Sequence, residues 1–110
     1  AAIQEIAEIT WDKTRHNFGK VHYQQKVLYN FQFENTGDKD LVIVDARASC
    51  GCTTPEWPKE PIPPGGRGFV KVGFKSTSTG PFNKQITVDA NTQPKSTVLY
   101  ISGEVLEQNN

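Results

Sequence analysis

The sequence contains only two cysteines and no methionine among its 110 residues. A single glycine separates Cys50 from Cys52, so a bridge between them could not tie distant segments of a fold together. No apolar run approaches the length that a membrane-spanning helix requires. Twelve Lys and Arg residues balance twelve Asp and Glu residues. This even charge, without a basic stripe, argues against nucleic acid as a partner.

Recognisable catalytic motifs are also missing. The sequence has no Gly-Xaa-Ser-Xaa-Gly elbow, no phosphate-binding glycine loop and no His-Glu-Xaa-Xaa-His helix. No pair of acidic residues has a spacing that singles it out, and Cys-Gly-Cys differs from the Cys-Xaa-Xaa-Cys of thioredoxin-type redox helices. We therefore expect a protein that is not an enzyme and that needs no cofactor.

The chain begins with Ala1 rather than methionine. This start is typical of a mature chain whose targeting segment has been removed, although an arbitrary boundary would look the same. Export to the periplasm or the outer cell envelope is therefore an expectation. A signal peptide or lipid anchor would then precede residue 1 in the full-length product.

Most of the chain alternates between apolar and polar residues, which is the pattern of a β-strand with one buried face. In residues 26–34, for example, Phe31 and Phe33 share one face with Val27. Further strands are predicted at residues 8–12, 18–23, 41–48, 68–75, 82–90 and 96–106. About seven strands in about 100 residues predict an all-β fold, an immunoglobulin-like antiparallel β-sandwich.

The predicted domain is single and spans residues 8–106, and residues 1–7 and 107–110 would form terminal tails. Antibody-type domains carry a disulfide between their two sheets. Because both cysteines of this chain lie together, its core must be held by packing alone. The candidate core members are Phe31, Phe33, Val72, Phe74, Ile86 and Leu99.

Residues 50–66 differ from the rest of the chain because they contain five of its prolines. Proline fixes φ and removes a backbone donor. This segment is therefore predicted to be a long ordered loop or a covering edge segment, and not a central strand. Trp57 and Ile62 are its expected anchors to the body of the domain.

Several short motifs follow one another along the chain: Phe31-Gln32-Phe33-Glu34-Asn35-Thr36-Gly37, Ser49-Cys50-Gly51-Cys52-Thr53, Ile62-Pro63-Pro64-Gly65 and Gly80-Pro81-Phe82-Asn83-Lys84. In this order they resemble a bacterial family of unknown function, whose members are small exported or lipid-anchored domains with a Cys-Gly-Cys-Thr motif. More distantly, the chain is similar to Hydin-type and major-sperm-protein-type immunoglobulin-like domains. The resemblance covers residues 8–106. It implies a seven-stranded β-sandwich, usually in the cell envelope, and no established enzyme activity.

Three interpretations of the thiol motif Cys50-Gly51-Cys52-Thr53 remain open. If the strand from Leu41 continues to Cys52, both sulfurs project from one face with Cα atoms ~6.6 Å apart, near the upper limit for a disulfide. The cysteines are then ordinary small side chains, or a redox-active or incidental disulfide in a very small ring. The third interpretation is a soft-metal site for an ion such as Cu(I).

A metal site would need further ligands, since a closed zinc site takes four. The only histidines, His16 and His22, lie six positions apart and share strand parity. They are the candidate partners of Cys50 and Cys52, and solvent-exposed loop histidines are the competing interpretation.

A partner surface is the remaining candidate, formed by Trp57, Tyr23 and Tyr100. Trp57 either packs over the sandwich and pins the proline-rich loop, or anchors a partner, as exposed Trp and Tyr commonly do. An edge strand could also add to a partner's sheet. The sequence thus predicts a non-enzymatic binding or structural module of the bacterial cell envelope that contacts another protein or envelope component. A redox-active or metal-binding thiol site at Cys50 and Cys52 is the alternative.

Overall fold

The computed structural model describes residues 6–107, which form strands and turns and contain no helix. Eight strands follow one another: β1 (Ile9–Trp11), β2 (Arg15–Val21), β3 (Lys26–Asn35), β4 (Ile43–Ala48), β5 (Thr53–Glu56), β6 (Arg67–Lys75), β7 (Gly80–Ala90) and β8 (Ser96–Val105). Within the described range, no helix is long and apolar enough to cross a membrane.

The strands form two four-stranded sheets, and the core lies between them. The first sheet has the order β1-β3-β6-β5 and the second has the order β2-β8-β7-β4. The chain changes sheet repeatedly, so among the described strands only β5–β6 and β7–β8 are both consecutive in sequence and hydrogen-bonded to each other. This arrangement confirms the predicted all-β, immunoglobulin-like sandwich.

Alternate residues of the strands fill the core, as the period of two predicts. Phe31 and Phe33 of β3 are fully buried, and the Trp11 ring packs edge-on against Phe33 with centroids 5.2 Å apart. All six predicted core residues are buried, as is Ile62, and Trp57 packs against the cluster. The predicted anchors of the proline-rich segment are therefore confirmed.

Three local features differ from the predicted strand pattern. Strands β2 and β8 pair in parallel, because the chain leaves β1 in the first sheet and continues in the second beside its last strand. In β4 the register shifts between Ile43 and Asp45, so the buried residues Ile43 and Ala46 do not share parity. An eighth strand, β5, forms inside the proline-rich segment. It pairs only with β6, so the segment covers an edge.

The predicted terminal tails fall mainly outside the described residues, which exclude 1–5 and 108–110. Ala7, placed in the first tail by the sequence, is buried. Its N–H donates to the carbonyl of Asn91 at 2.8 Å, so the packed body begins at least one residue earlier than residue 8.

Asn35 at the end of β3 links three parts of the chain through its buried side chain. Its Nδ2 donates to the carbonyl oxygens of Lys39 and Ile62, each at 2.8 Å. Its Oδ1 accepts from the N–H of Gly37 at 3.1 Å. Since Leu41 and Ile62 form a two-way backbone bridge, Asn35 fixes the β3–β4 turn to the proline-rich segment.

Candidate functional site

The two cysteines lie in the turn by which the chain crosses from β4 in the second sheet to β5 in the first. The N–H of Thr53 donates to the carbonyl of Cys50 at 3.3 Å and closes the turn. Before the turn, the N–H of Ser49 donates to the carbonyl of Gln85 on β7 at 2.9 Å. After it, the carbonyl of Cys52 accepts from the N–H of Lys75 on β6 at 3.0 Å. Backbone hydrogen bonds therefore fix the turn to both sheets.

Cys50 and Cys52 form a disulfide whose Cα atoms are 5.4 Å apart. Strand β4 ends at Ala48, where the predicted strand ends, and does not continue to Cys52. The turn brings the two Cα atoms closer than an extended chain would. Of the three interpretations, the structure has the disulfide. No cysteine is free in the described chain, which does not favour the metal site.

The histidines do not complete a metal site in the described chain. His16 on β2 stacks on Tyr29 with ring centroids 3.7 Å apart and meets the Phe18 ring edge-on. Burial in this aromatic cluster, and secondarily the charge of Lys13, lowers the pKa of His16. His22 is exposed in the β2–β3 turn. No group of three or more potential metal-binding side chains occurs within residues 6–107.

Cys52 lines an open cavity of about 480 Å³ between the disulfide turn and the end of the first sheet, here called the lysine recess. Its lining residues are Gln24, Lys26, Gly51, Cys52, Thr54, Gly73, Lys75, Ser76 and Thr77. Lys26 and Lys75 lie opposite each other in the β3–β6 ladder. The buried Thr53 places its Oγ1 3.6 Å from the Cys50 sulfur and 3.9 Å from the Cys52 sulfur.

A second cavity of about 480 Å³ lies at the other end of β5, where the edge of the first sheet opens; we call it the Trp57 groove. It is lined by Glu56, Trp57, Pro58, Ile62, Arg67, Gly68, Phe69 and Lys71. Strand β5 ends with Glu56 opposite Lys71. Two residues later Pro58 has no N–H to offer, so the ladder stops while β6 continues to Arg67.

Phe69 turns unused backbone groups towards this groove. Residues of an antiparallel strand point their N–H and C=O alternately to either neighbour. The N–H of Lys75 bonds to Cys52 on the β5 side, so the backbone groups of Lys71 and Phe69 point to that side too. Among the described strands none pairs with Phe69 there, and the groove holds an open hydrogen-bonding edge.

The groove combines apolar surface with positive charge. The Phe69 side chain is 46% exposed, and the Nζ of Lys59 lies 3.2 Å from the centroid of the Trp57 ring. Arg67 is engaged already, because Asp12 and Glu34 accept from its guanidinium at 2.7 and 3.2 Å. These partners, Asp12 first, raise the pKa of Arg67.

The three residues of the predicted partner surface do not lie together. Trp57 follows β5 in the first sheet and lines the groove. Tyr100 is on β8 in the second sheet, where the guanidinium of Arg15 lies 4.1 Å from its ring centroid. Tyr23 packs against the core at the β2–β3 turn. Their role in binding stays a prediction, and of the three Trp57 lines the Trp57 groove.

Removing the disulfide should leave the fold in place. The ring spans three residues and the turn keeps its backbone hydrogen bonds, so we expect Cys50→Ala/Cys52→Ala to lower the free energy of unfolding by less than about 2 kcal/mol. Urea unfolding of the variant beside the oxidised protein measures this difference. A loss of about 4 kcal/mol or more, as when a long-range disulfide is removed, would show that the bridge stabilises the fold.

The two sheets and their strand orders define an immunoglobulin-like β-sandwich domain. Over residues 9–105 the sequence matches the family described as "Protein of unknown function (DUF1573)", and the chain belongs to this family. Among proteins with curated descriptions, none matches the sequence.

Solved structures share the fold at low sequence identity. A protein of unknown function from Porphyromonas gingivalis W83 superposes with a TM-score of 0.81 at 13% identity, over 94% of this chain and 49% of the other. The ASH/PapD-like domain 7 of human CEP192 superposes with a TM-score of 0.70 at 13% identity, over 92% of this chain and 87% of the other. The secreted serine protease VesC from Vibrio cholerae superposes with a TM-score of 0.64 at 10% identity, over 96% of this chain and 24% of the other. The chain thus spans about half of the Porphyromonas protein.

Proposed function

We propose that this protein is a non-enzymatic binding module of the bacterial cell envelope, and that the Trp57 groove binds an extended peptide segment of a partner protein by strand addition. The observation that carries the proposal is the open backbone edge of β6 at Phe69, beyond the end of β5. A peptide strand placed there would continue the line of β5 and would receive main-chain hydrogen bonds from Phe69, the usual source of affinity in strand addition.

The side-chain pattern of the peptide follows from β5 itself. In β5, the buried Thr53 points to the core, whereas the exposed Glu56 lies opposite Lys71. A peptide that continues this line would place apolar side chains towards Trp57 and acidic side chains towards Lys71. Lys71 lines the groove and Lys59 lies over the Trp57 ring, whereas Glu56 is the one carboxylate among the lining residues. Charge complementarity therefore favours an acidic–apolar alternation.

An envelope location is supported by the chemistry of the disulfide turn. Disulfides persist in oxidising compartments such as the periplasm and are rare in the cytosol. We therefore include export in the proposal. Fractionation of cells that express the full-length gene product tests this part, and recovery of the protein with the cytosol would reject it.

Charge removal in the groove should weaken peptide binding selectively. The probe is an acetylated and amidated octapeptide of alternating Glu and Val, and calorimetry measures its affinity. We expect Lys59→Gln/Lys71→Gln to weaken binding about three- to tenfold, since each exposed ion pair contributes about 0.2–1 kcal/mol. The matched control, Lys26→Gln/Lys75→Gln, removes the same charge from the lysine recess and should leave affinity unchanged. Equal weakening by both variants would reveal non-specific attraction and reject the site.

A further inference from the structure

We propose that the Cys50–Cys52 bridge is a thiol–disulfide exchange site that accepts two electrons from a dithiol. Its position argues against a structural role, because it joins residues two apart in a turn that Thr53 already closes with a backbone hydrogen bond. Bridges that solvent reaches are the ones that take part in exchange chemistry. Cys50 and Cys52 are each only partly buried, although Cys52 also packs against the core. The exchange is stoichiometric, with one dithiol oxidised per bridge, and adds a redox property to a binding module.

Access selects Cys52 as the sulfur that is attacked. Cys52 lines the lysine recess, whereas Cys50 is not among its lining residues. The turn presents no obstacle on its outer side, since a Cβ placed on Gly51 would have no neighbour within 4 Å. An incoming thiolate can therefore reach Cys52 through the recess and leave Cys50 as the departing sulfur.

The surroundings of the bridge favour thiolates at each stage. Lys26 and Lys75 supply two positive charges, and no carboxylate belongs to the lining residues of the recess. Nearby ammonium groups stabilise thiolate over thiol, and here they would favour both the attacking thiolate and the Cys52 thiolate released later. The hydroxyl of Thr53, 3.6 Å from the Cys50 sulfur, can donate to the Cys50 thiolate when it departs.

The exchange balances in two displacements. One thiolate of the dithiol attacks Cys52, a mixed disulfide forms, and the bond to Cys50 breaks with its electron pair on the Cys50 sulfur. The second thiolate of the dithiol then attacks the dithiol sulfur that is bonded to Cys52, and Cys52 leaves as a thiolate. The dithiol loses two electrons and two protons and becomes a disulfide, while Cys50 and Cys52 gain them and become thiols.

Reduction of the folded chain by dithiothreitol tests the proposal. After alkylation of free thiols, intact mass gives the reduced fraction with time, while near-UV circular dichroism reports the fold. We expect complete reduction with the fold retained. Lys26→Gln/Lys75→Gln should slow this reduction about three- to tenfold, because two ammonium groups that stabilise the thiolates are lost. Lys59→Gln/Lys71→Gln, with the same charge change, should stay within about twofold of the parent rate.

Trapping with a single thiol identifies the attacked sulfur. Reduced glutathione, followed by rapid alkylation and peptide mapping, should leave the glutathione adduct on Cys52 and the alkyl group on Cys50. The opposite labelling would overturn the assignment of Cys52. A bridge that is reduced only as the protein unfolds would overturn the exchange site itself, as would equal rates in the two lysine variants. None of these results depends on peptide binding at the Trp57 groove.

Discussion

Replacing Asn35 with alanine is expected to lower the free energy of unfolding by about 3–4 kcal/mol. The fully buried side chain makes three hydrogen bonds. Its loss leaves the Lys39 carbonyl and the Gly37 N–H without this partner, and leaves the Ile62 carbonyl with the N–H of Leu41 alone. Each buried polar group that loses its partner costs about 1–3 kcal/mol. Because water can partly replace the lost donor at the less buried Lys39 carbonyl, the total cost stays below the sum of the largest values.

Urea unfolding at constant protein concentration measures the Asn35 effect. Asn35→Asp removes both Nδ2 donors at nearly the same volume and should cost almost as much as alanine. The matched control is Asn30→Ala on the exposed face of the same strand, where we expect a change within about 0.5 kcal/mol. Equal effects at positions 30 and 35 would contradict the role given to Asn35.

Alanine substitutions of two phenylalanines in the first sheet should affect different properties, Phe33 the free energy of unfolding and Phe69 the binding of the peptide. Phe33→Ala is expected to cost about 3–5 kcal/mol, the usual loss for a fully buried phenylalanine. Packing around this ring is tight, since a Cβ on Gly68 would come within 2.9 Å of it. Phe69→Ala removes a half-exposed ring, so we expect a loss below about 1 kcal/mol together with at least tenfold weaker binding of the Glu–Val octapeptide.

Unfolding and calorimetry on the same two preparations give both results. Leu28→Ala provides the control for Phe69, because Leu28 is another exposed apolar residue of the first sheet, 54% exposed, and does not line the groove. Octapeptide affinity should not change in this control. A Phe69 variant that binds as tightly as the parent would contradict the proposed groove.

The alternation of the sequence was sufficient for the sandwich and its core. Phe31 and Phe33 sit on the inner face of β3 because their parity is never interrupted. The alternation does not predict which residues are buried where the strand register shifts. The shift in β4 between Ile43 and Asp45 is a backbone irregularity that no distinctive residue marks. The parallel pairing of β2 with β8 depends on where the chain changes sheet, which no local signal encodes.

The candidate sites were predictable to different degrees. Cys-Gly-Cys marked the position of the turn and left the disulfide as one of three interpretations. The lysines of the recess come together only through the register that places Lys26 opposite Lys75. The Trp57 groove depends on the exact residue at which β5 ends. The prolines predicted a long ordered loop or a covering edge segment, and Trp57 was named as a candidate partner residue. The exposed Phe69 was missed, because the outward position of one aromatic residue in a strand carries no signal until its neighbour strand is known to stop short.

Amide hydrogen exchange at Phe69 is the measurement that tests the central proposal most directly. The ladder alternation points this N–H into the Trp57 groove, whereas the adjacent N–H of Val70 points towards β3. On saturation with the Glu–Val octapeptide, the account predicts at least about tenfold slower exchange at Phe69, with Val70 unchanged. Exchange at Phe69 that is unaffected by the bound peptide would contradict strand addition at this groove.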